Sequence, residues 1–352
     1  MIEKIKEIAK NILLLEERRR KLAELLRAES SPYFEGAYEK SFIRGIDEIK
    51  VNGKVCATDS GIMLGAMHGI DIFVCRAVAV SFLYENSTLK SCEYYPSPRA
   101  DPEIEVKNAL DIEDVLWNSS LFRLKSEIEV SINAVEKLSP DYLFLDGSIV
   151  PLVSDKPKTE SQVIGVYNEV IRLYIRLYER CREKNCTLVG IIKDSRGKRF
   201  LEIVQSLISD ESIISSARDS DFVHHLLKEK ERTFVFGYSS DPYNHKVLRD
   251  LGYWQDKICV FYLKPSPYDR PLRCEFLCEQ KNLDKKFDQI ASFVYSLSKI
   301  NEKYAYPAIL IEADLRAAVS NEELIRIKRR LEVEVGLAPS IMELRRNVRP
   351  FR

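Results

Sequence analysis

An α/β fold, a mixed sheet flanked by helices, is what this chain predicts. Two observations carry it: three successive stretches of strand character in residues 54–95, and long helical periodicities alternating with short apolar runs from residue 110 onward. A third observation concerns how two of the strands stop. Tyr142-Leu-Phe-Leu-Asp146-Gly-Ser148 is an apolar run without alternation, as in a strand covered on both faces, which halts on a carboxylate and turns. Lys54-Val-Cys-Ala-Thr-Asp59-Ser-Gly61 has the same form. Two such acids meet only if their strands are neighbours. Unpaired carboxylates roughly 4 Å apart repel, so a divalent cation is their natural partner. Taken singly, each Asp reads as readily as a turn stabiliser.

The elements follow in order. Residues 2–28 form a long charged helix in which Ile5, Ile8, Ile12, Leu15, Leu22, Leu25 and Leu26 recur at helical spacing and make one stripe to bury. Pro32 ends it, and residues 33–50 read as a connection. Strands follow at 54–60, Ile70–Tyr84 and Ser87–Tyr95, the last two joined at an Asn86 turn, as an antiparallel meander. Pro96, Pro98 and Pro102 break the pattern. Helix 110–138 places Leu121, Leu124, Ile128, Ile132 and Val135 on one side, and strand 142–146 comes next. Helix 160–184 and strand Thr187–Ile192 complete the series. Three strands, helix, strand, helix, strand is the order of an RNase H-like sheet. Further strands are expected at 233–238, 257–263 and 273–277, and helices at 283–298 and at 308–319, the latter with Pro307 in its first turn. The 308–319 helix is expected to bury Ile311, Leu315 and Ala318. Ser320-Asn-Glu-Glu323 is a capping box that opens a helix over 321–334, closed by Gly336. The end of the chain carries Arg345, Arg346, Arg349 and Arg352. The expected division is an N-terminal helical arm over 1–50, a core with insertions over 51–320, and a C-terminal helical segment over 321–352.

Composition narrows the classes. The 352 residues are 45% hydrophobic, enough for a sizeable core, and Lys+Arg and Asp+Glu balance at 54 each. No global charge draws the chain to nucleic acid, so any such contact has to come from a local basic patch. The eight Cys lack a regular framework, and the four His lie away from the two close pairs, Cys181/Cys186 and Cys274/Cys278. They read as small buried residues of a reducing cytoplasm rather than as a zinc site. No apolar run approaches the ~20 residues of a membrane span, and the charged N-terminus is not a signal peptide.

An RNase H-like nuclease needs acids from its first strand, first long helix, fourth strand and a late helix, and they hold two divalent cations. Asp59 and Asp146 fill the strand positions. On helix 110–138, Glu127 and Glu129 flank Ile128 at the two borders of the apolar face. Glu127 has the small neighbours Ser120, Ser131 and Ala134 at helical spacing and is preferred over Glu129, which borders Phe122 and Lys125. Either Glu is otherwise an ordinary solvated helix residue.

Thr58-Asp59-Ser60-Gly61, Glu127, Leu145-Asp146-Gly147-Ser148, Lys193-Asp194-Ser195, and Tyr306-Pro307 followed by Glu312-Ala313-Asp314 stand in the order of the NurA nucleases, which the chain resembles from about residue 50 to 340. The resemblance implies an RNase H-like core, a ring-shaped homodimer acting on single- and double-stranded DNA, manganese (or magnesium) as cofactor, and a HerA-type hexameric translocase as partner. It also implies 5′-to-3′ processing of DNA ends for double-strand break repair by homologous recombination. Carried over by position, Asp59, Glu127 and Asp146 match the metal-binding acids, and Tyr306 a tyrosine near the catalytic centre. Asp314 stands where the family usually has His. A carboxylate there ligates manganese equally well, or else marks a weakened site. Lys193, Arg196, Lys198 and Arg199 follow a strand end and are candidates for phosphate contact, with a solvated loop as the alternative.

Two other classes compete. An actin-like phosphotransferase shares the Asp-Gly turns, but the chain has no second meander, and only 13 Gly in 352 residues leave no Gly-rich nucleotide loop. An inactive adaptor of the translocase is favoured by the departure at Asp314.

Overall fold

The computed structural model describes residues 1–28, 35–108, 110–205, 217–279, 284–336 and 338–345. Pro32, Leu283, Arg346, Arg349 and Arg352 therefore lie outside the described residues. The strands are β1 Ile43–Gly45, β2 Gly53–Ala66, β3 Ile70–Glu85, β4 Thr88–Tyr95, β5 Glu103–Asn108, β6 Tyr142–Asp146, β7 Thr187–Ile192, β8 Glu231–Thr233, β9 Phe236–Gly237, β10 Ile258–Lys264 and β11 Leu272–Leu277. The helices are α1 Ile2–Ala28, α2 Ile112–Leu138, α3 Ile164–Glu183, α4 Arg199–Val204, α5 Asp219–Leu226, α6 Asp284–Leu297, α7 Ala308–Ala317 and α8 Asn321–Val335. They fall into two compact units, each made from two separate stretches of chain: Met1–Val51 with Val189–Ala308, and Asn52–Leu188 with Ile309–Arg352.

The second unit holds the meander. β2, β3 and β4 pair antiparallel, and β6 joins the other side of β2 in parallel. The strand order β4-β3-β2-β6 with its connecting helix is that of an RNase H-like mixed sheet. The β3–β4 turn uses Asn86 and Ser87 at φ 49° and 64°, the left-handed backbone that a two-residue hairpin requires. α2 lies across β2 and β3. It buries the expected Leu121, Leu124, Ile128, Ile132 and Val135, each contributing roughly 1.5–3 kcal/mol. α3 packs on α2 through Tyr167, Val170, Tyr174, Leu177 and Tyr178.

The end of the chain returns to this sheet. Leu324 of α8 and Ile341 pack on Met67, Ile72 and Val74. The β2–β3 turn is strapped by that tail, since the amides of His68 and Gly69 donate to the carbonyls of Met342 and Ser340 at 2.9 and 2.8 Å. Arg76 of β3 reaches the Ala318 carbonyl at 2.6 Å and Glu323 at 2.5 Å. Ser320 and Glu323 form the expected capping box.

In the first unit the strand order is β1-β8-β10-β11-β7, all antiparallel, with β9 beside β10. Its core is aromatic: Phe42, Phe200, Phe234, Phe236 and Tyr262 form one cluster with the last turns of α1. Arg232 is fully buried and forks onto Glu39 at 2.6 and 2.7 Å, so the ion is paired where it is desolvated.

The structure departs from the sequence reading at several places. β2 runs on to Ala66 instead of stopping at Asp59, because Gly61 is a strand residue pressed by another segment, not a turn. β1 lies inside the stretch read as a connection. β5, α4 and α5 were not expected, and the strand expected at 233–238 is split into β8 and β9. α1 buries only Ala23 and Leu26; Ile5, Ile8, Ile12 and Leu25 are each at least half exposed, since α1 meets the rest of its unit at its C-terminal half through α5. α7 buries Ile309, Leu310, Ala313 and Ala317, while Leu315 is 66% exposed, so its inner face is rotated from the expected one.

Candidate active site

Two adjacent strands set the site. In the parallel β2–β6 pair, Thr58 is opposite Leu145, so Asp59 and Asp146 are the next residues of neighbouring strands. Asp146 ends β6, and Gly147 at φ 135° carries the chain away. Asp59 lies within β2, buried under the helix layer, and its Oδ1 accepts the Ser60 amide at 2.7 Å.

α2 supplies the third acid. Small hydroxylated residues bring the helix close: the Thr58 and Ser131 hydroxyls are 2.8 Å apart, and Ser131 also donates to the Glu127 carbonyl at 2.7 Å. Glu127 itself, 3% exposed, accepts the Ser60 hydroxyl on Oε2 at 2.5 Å. Arg123, one turn earlier on α2, donates to that same oxygen at 2.9 Å and lies 3.2 Å from Ser60 Oγ.

α7 supplies the fourth. A Cβ on Gly61 would stand 2.5 Å from the Ala317 carbonyl oxygen, so only glycine lets the end of α7 cross β2 here. Asp314, one turn back, is exposed and next to the buried Ala313.

The four carboxylates share one field. Burial pushes the Asp59 carboxyl up to about 8, and the charges of Glu127, Asp146 and Asp314 push the same way, against the Ser60 amide that stabilises the anion. Burial also raises Glu127; the Arg123 guanidinium and the Ser60 hydroxyl pull it back, and Asp146 pushes it up again. Among the described residues, no three His, Cys, Asp or Glu side chains stand close enough to enclose an ion. The donor chemistry nevertheless fits one. The set is all oxygen, the choice of hard divalent cations, and such a cation relieves the mutual repulsion that helps to raise Asp59. Glu127 Oε2 is engaged by both Arg123 and Ser60.

The other expected residues belong to the first unit. Tyr306 is buried, donates to the Ile191 carbonyl at 3.0 Å, and has the Lys193 ammonium 4.4 Å from its ring centre. The four basic residues do not share one cavity. Lys193 and Arg196 line one of about 550 Å³ with Arg218, His224, His225 and Arg270. Arg199, paired with Glu202 at 3.2 Å, lines another of about 730 Å³ beside Tyr38 and Tyr238. Lys198 precedes α4 and is exposed.

Sequence reasoning missed Ser60 and Arg123. Ser60 lies inside Thr58-Asp59-Ser60-Gly61, where nothing in the sequence names the partner of its hydroxyl. Arg123 was legible as an i, i+4 partner of Glu127.

A family model described as the NurA domain matches residues 53–319. None of the curated proteins matches the chain. Among solved structures, the NurA nuclease from Sulfolobus solfataricus superposes with a TM-score of 0.61 at 16% identity, over 95% of each chain. A NurA structure with manganese gives 0.55 at 10% identity, covering 97% of this chain and 99% of the other. One bound to dAMP and manganese gives 0.52 at 11% identity, with the same coverage. At these identities the likeness is one of fold.

Proposed function

The chain belongs to the NurA family of DNA nucleases, and we propose that it cuts phosphodiesters with divalent cations held by Asp59, Glu127, Asp146 and Asp314. The observation that carries this is the placing of Asp59 and Asp146 at adjacent positions of neighbouring strands under α2 with its buried Glu127; burial first, and then the charges of Glu127, Asp146 and Asp314, push the Asp59 carboxyl up to about 8. Manganese bound there would supply Lewis acidity and an activated water. Four carboxylates balance the charge of two such cations, so a two-metal arrangement is the one we favour. Magnesium suits the same oxygens.

The protein's own groups then have defined tasks. Asp59 and Asp146, on adjacent strands, fix the floor of the site. Ser60 holds Glu127 in place through its hydroxyl. Asp314 takes the position of the family's usual His, on the helix that crosses Gly61. The basic residues Lys193, Arg196, Lys198 and Arg199 are proposed for the DNA phosphates, whereas Tyr306, 1% exposed and bonded to the Ile191 carbonyl, offers no face for a base to stack on and is proposed to position the nearby Lys193 instead. We further propose that the protein works in the cytoplasm, as a homodimer with a HerA-type translocase, trimming DNA ends for recombination in the 5′-to-3′ direction. Its free cysteines suit a reducing compartment. Among the described residues no helix is long and apolar enough to cross a membrane.

Asp146→Ala and Asp59→Ala test the reading. Loss of an outer-shell partner costs roughly 10–100-fold, so loss of a direct ligand should lower manganese-dependent cleavage of labelled DNA by more than about 100-fold, in variants that still melt cooperatively. Cleavage by either variant at the wild-type rate removes that residue from the mechanism.

A further inference from the structure

Arg123 is bonded to Glu127 and Ser60 at the edge of the acidic centre. We infer that Arg123 is the resident counter-cation of that centre, holding Glu127 until a divalent cation takes it. The inference rests on the proposed metal-binding role of the carboxylates.

The geometry is one of competition. Arg123 and Glu127 are one helical turn apart on α2, so their side chains lie on the same face. The guanidinium donates to Glu127 Oε2 at 2.9 Å, and the Ser60 hydroxyl lands on the same oxygen at 2.5 Å. Glu127 is 3% exposed, whereas the Arg123 side chain is 31% exposed. The acid is thus fixed in the interior, and the cation reaches it from the solvent edge. A buried carboxylate left without a partner strongly destabilises a fold, so the guanidinium keeps the metal-free unit intact. Charge is conserved by exchange: a divalent cation bound to Glu127 makes the guanidinium superfluous there, and Arg123 is then free to swing toward solvent. Because both cations use Glu127, each weakens the hold of the other on it.

Manganese titration without DNA tests this, on the full chain. Wild type, Arg123→Gln and Arg123→Lys are compared by two readouts: the thermal midpoint in chelator and in saturating Mn2+, and free Mn2+ counted by its paramagnetic resonance signal. Arg123→Gln should melt below wild type in chelator, and saturating Mn2+ should close the gap. Its Mn2+ affinity should be tighter by roughly tenfold or more, as expected when a full charge a few Å from the site is removed. Arg123→Lys keeps the charge and loses the fork, so it should fall between the two. Where Arg123→Gln fails to fold, Arg123→Lys serves alone. Arg316→Gln is the control: Arg316 pairs with Glu312 at 2.7 Å on α7 and does not bond the centre, so it should leave Mn2+ affinity unchanged. An affinity equal to or weaker than wild type at position 123 overturns the inference, as does a melting deficit that Mn2+ leaves untouched. A wild-type protein that binds no Mn2+ is a different result, which removes the metal reading and this inference with it.

Discussion

Asp59 is a buried acid with three acidic neighbours, and that makes metal-free stability depend on pH. Its folded carboxyl titrates at about 8, well above the ~4 of an unfolded Asp. The folded state therefore holds the proton more tightly than the unfolded state. The contribution to stability is full below about pH 4 and is lost as pH rises through about 8. In chelator, the thermal midpoint should fall over that window. Asp59→Asn should flatten the slope, and Mn2+ should oppose it, because a cation favours the same deprotonated carboxylate that the empty site resists. A midpoint independent of pH in chelator would count against the shared field. Asp314 gives a second residue-scale expectation. It is exposed, and its charge still acts on Asp59, so Asp314→Ala should slow cleavage roughly 10–100-fold and shift the Mn2+ optimum upward. A wild-type rate across the Mn2+ titration would make it a bystander. Among the acids, Glu127 was legible because its helical neighbours are small, and the structure uses that space: Ser131 is fully buried against Thr58. Arg123 was harder to read, since an Arg–Glu pair one turn apart is ordinary on a helix surface.

At the scale of elements, Gly61 is the most informative position. Glycine reads first as a turn, and the chain before it looks like a finished strand. Its real reason is a neighbour from the far end of the chain, the Ala317 carbonyl, which periodicity does not report. Gly61→Ala forces a backbone contact apart, and overpacking of this kind costs roughly 1–3 kcal/mol. The denaturant midpoint should fall accordingly, and cleavage should fall with it, because α7 also carries Asp314. Unchanged stability would mean that α7 has room to move. The meander, α2, α3 and β6 were readable from local pattern, because alternation, the Asn86 turn and the apolar stripe of α2 all agree with their burial. β5 was hidden behind the proline cluster, and α5 is a short helix rich in Asp and His. α1 shows the limit of periodicity: an apolar stripe says which face would be buried, not whether anything covers it, and Ile5, Ile8 and Ile12 stay at least half exposed.

For the whole molecule, the division into two units cuts each of them from two pieces of chain. The carboxylate unit takes residues 309–352 from the end, and they contribute Leu324 and Ile341 to its core and the acceptors for Arg76. A chain stopped after Ala308 should therefore lose cooperative unfolding of this unit. Limited proteolysis should cut within 53–85, which the intact protein protects. An unchanged digestion pattern would show that the returning segment is dispensable. This dependence on distant segments also explains what the sequence leaves unread. Asp59 and Asp146 could be paired by the logic of neighbouring strands, but the crossing of α7 over β2 joins segments far apart in the chain.

Gly61 and Ala317 also impose an order in time. The ribosome delivers β2 early and α7 late, and at roughly 5–20 residues per second the interval lasts on the order of tens of seconds. Throughout it the nascent chain already carries Asp59, then Glu127 and Asp146, but the strand that bears the first of them lacks the segment that closes over it. The acids proposed to bind metal are thus synthesised well before the unit around them is complete, and the proposed site can close only after α7 has been made.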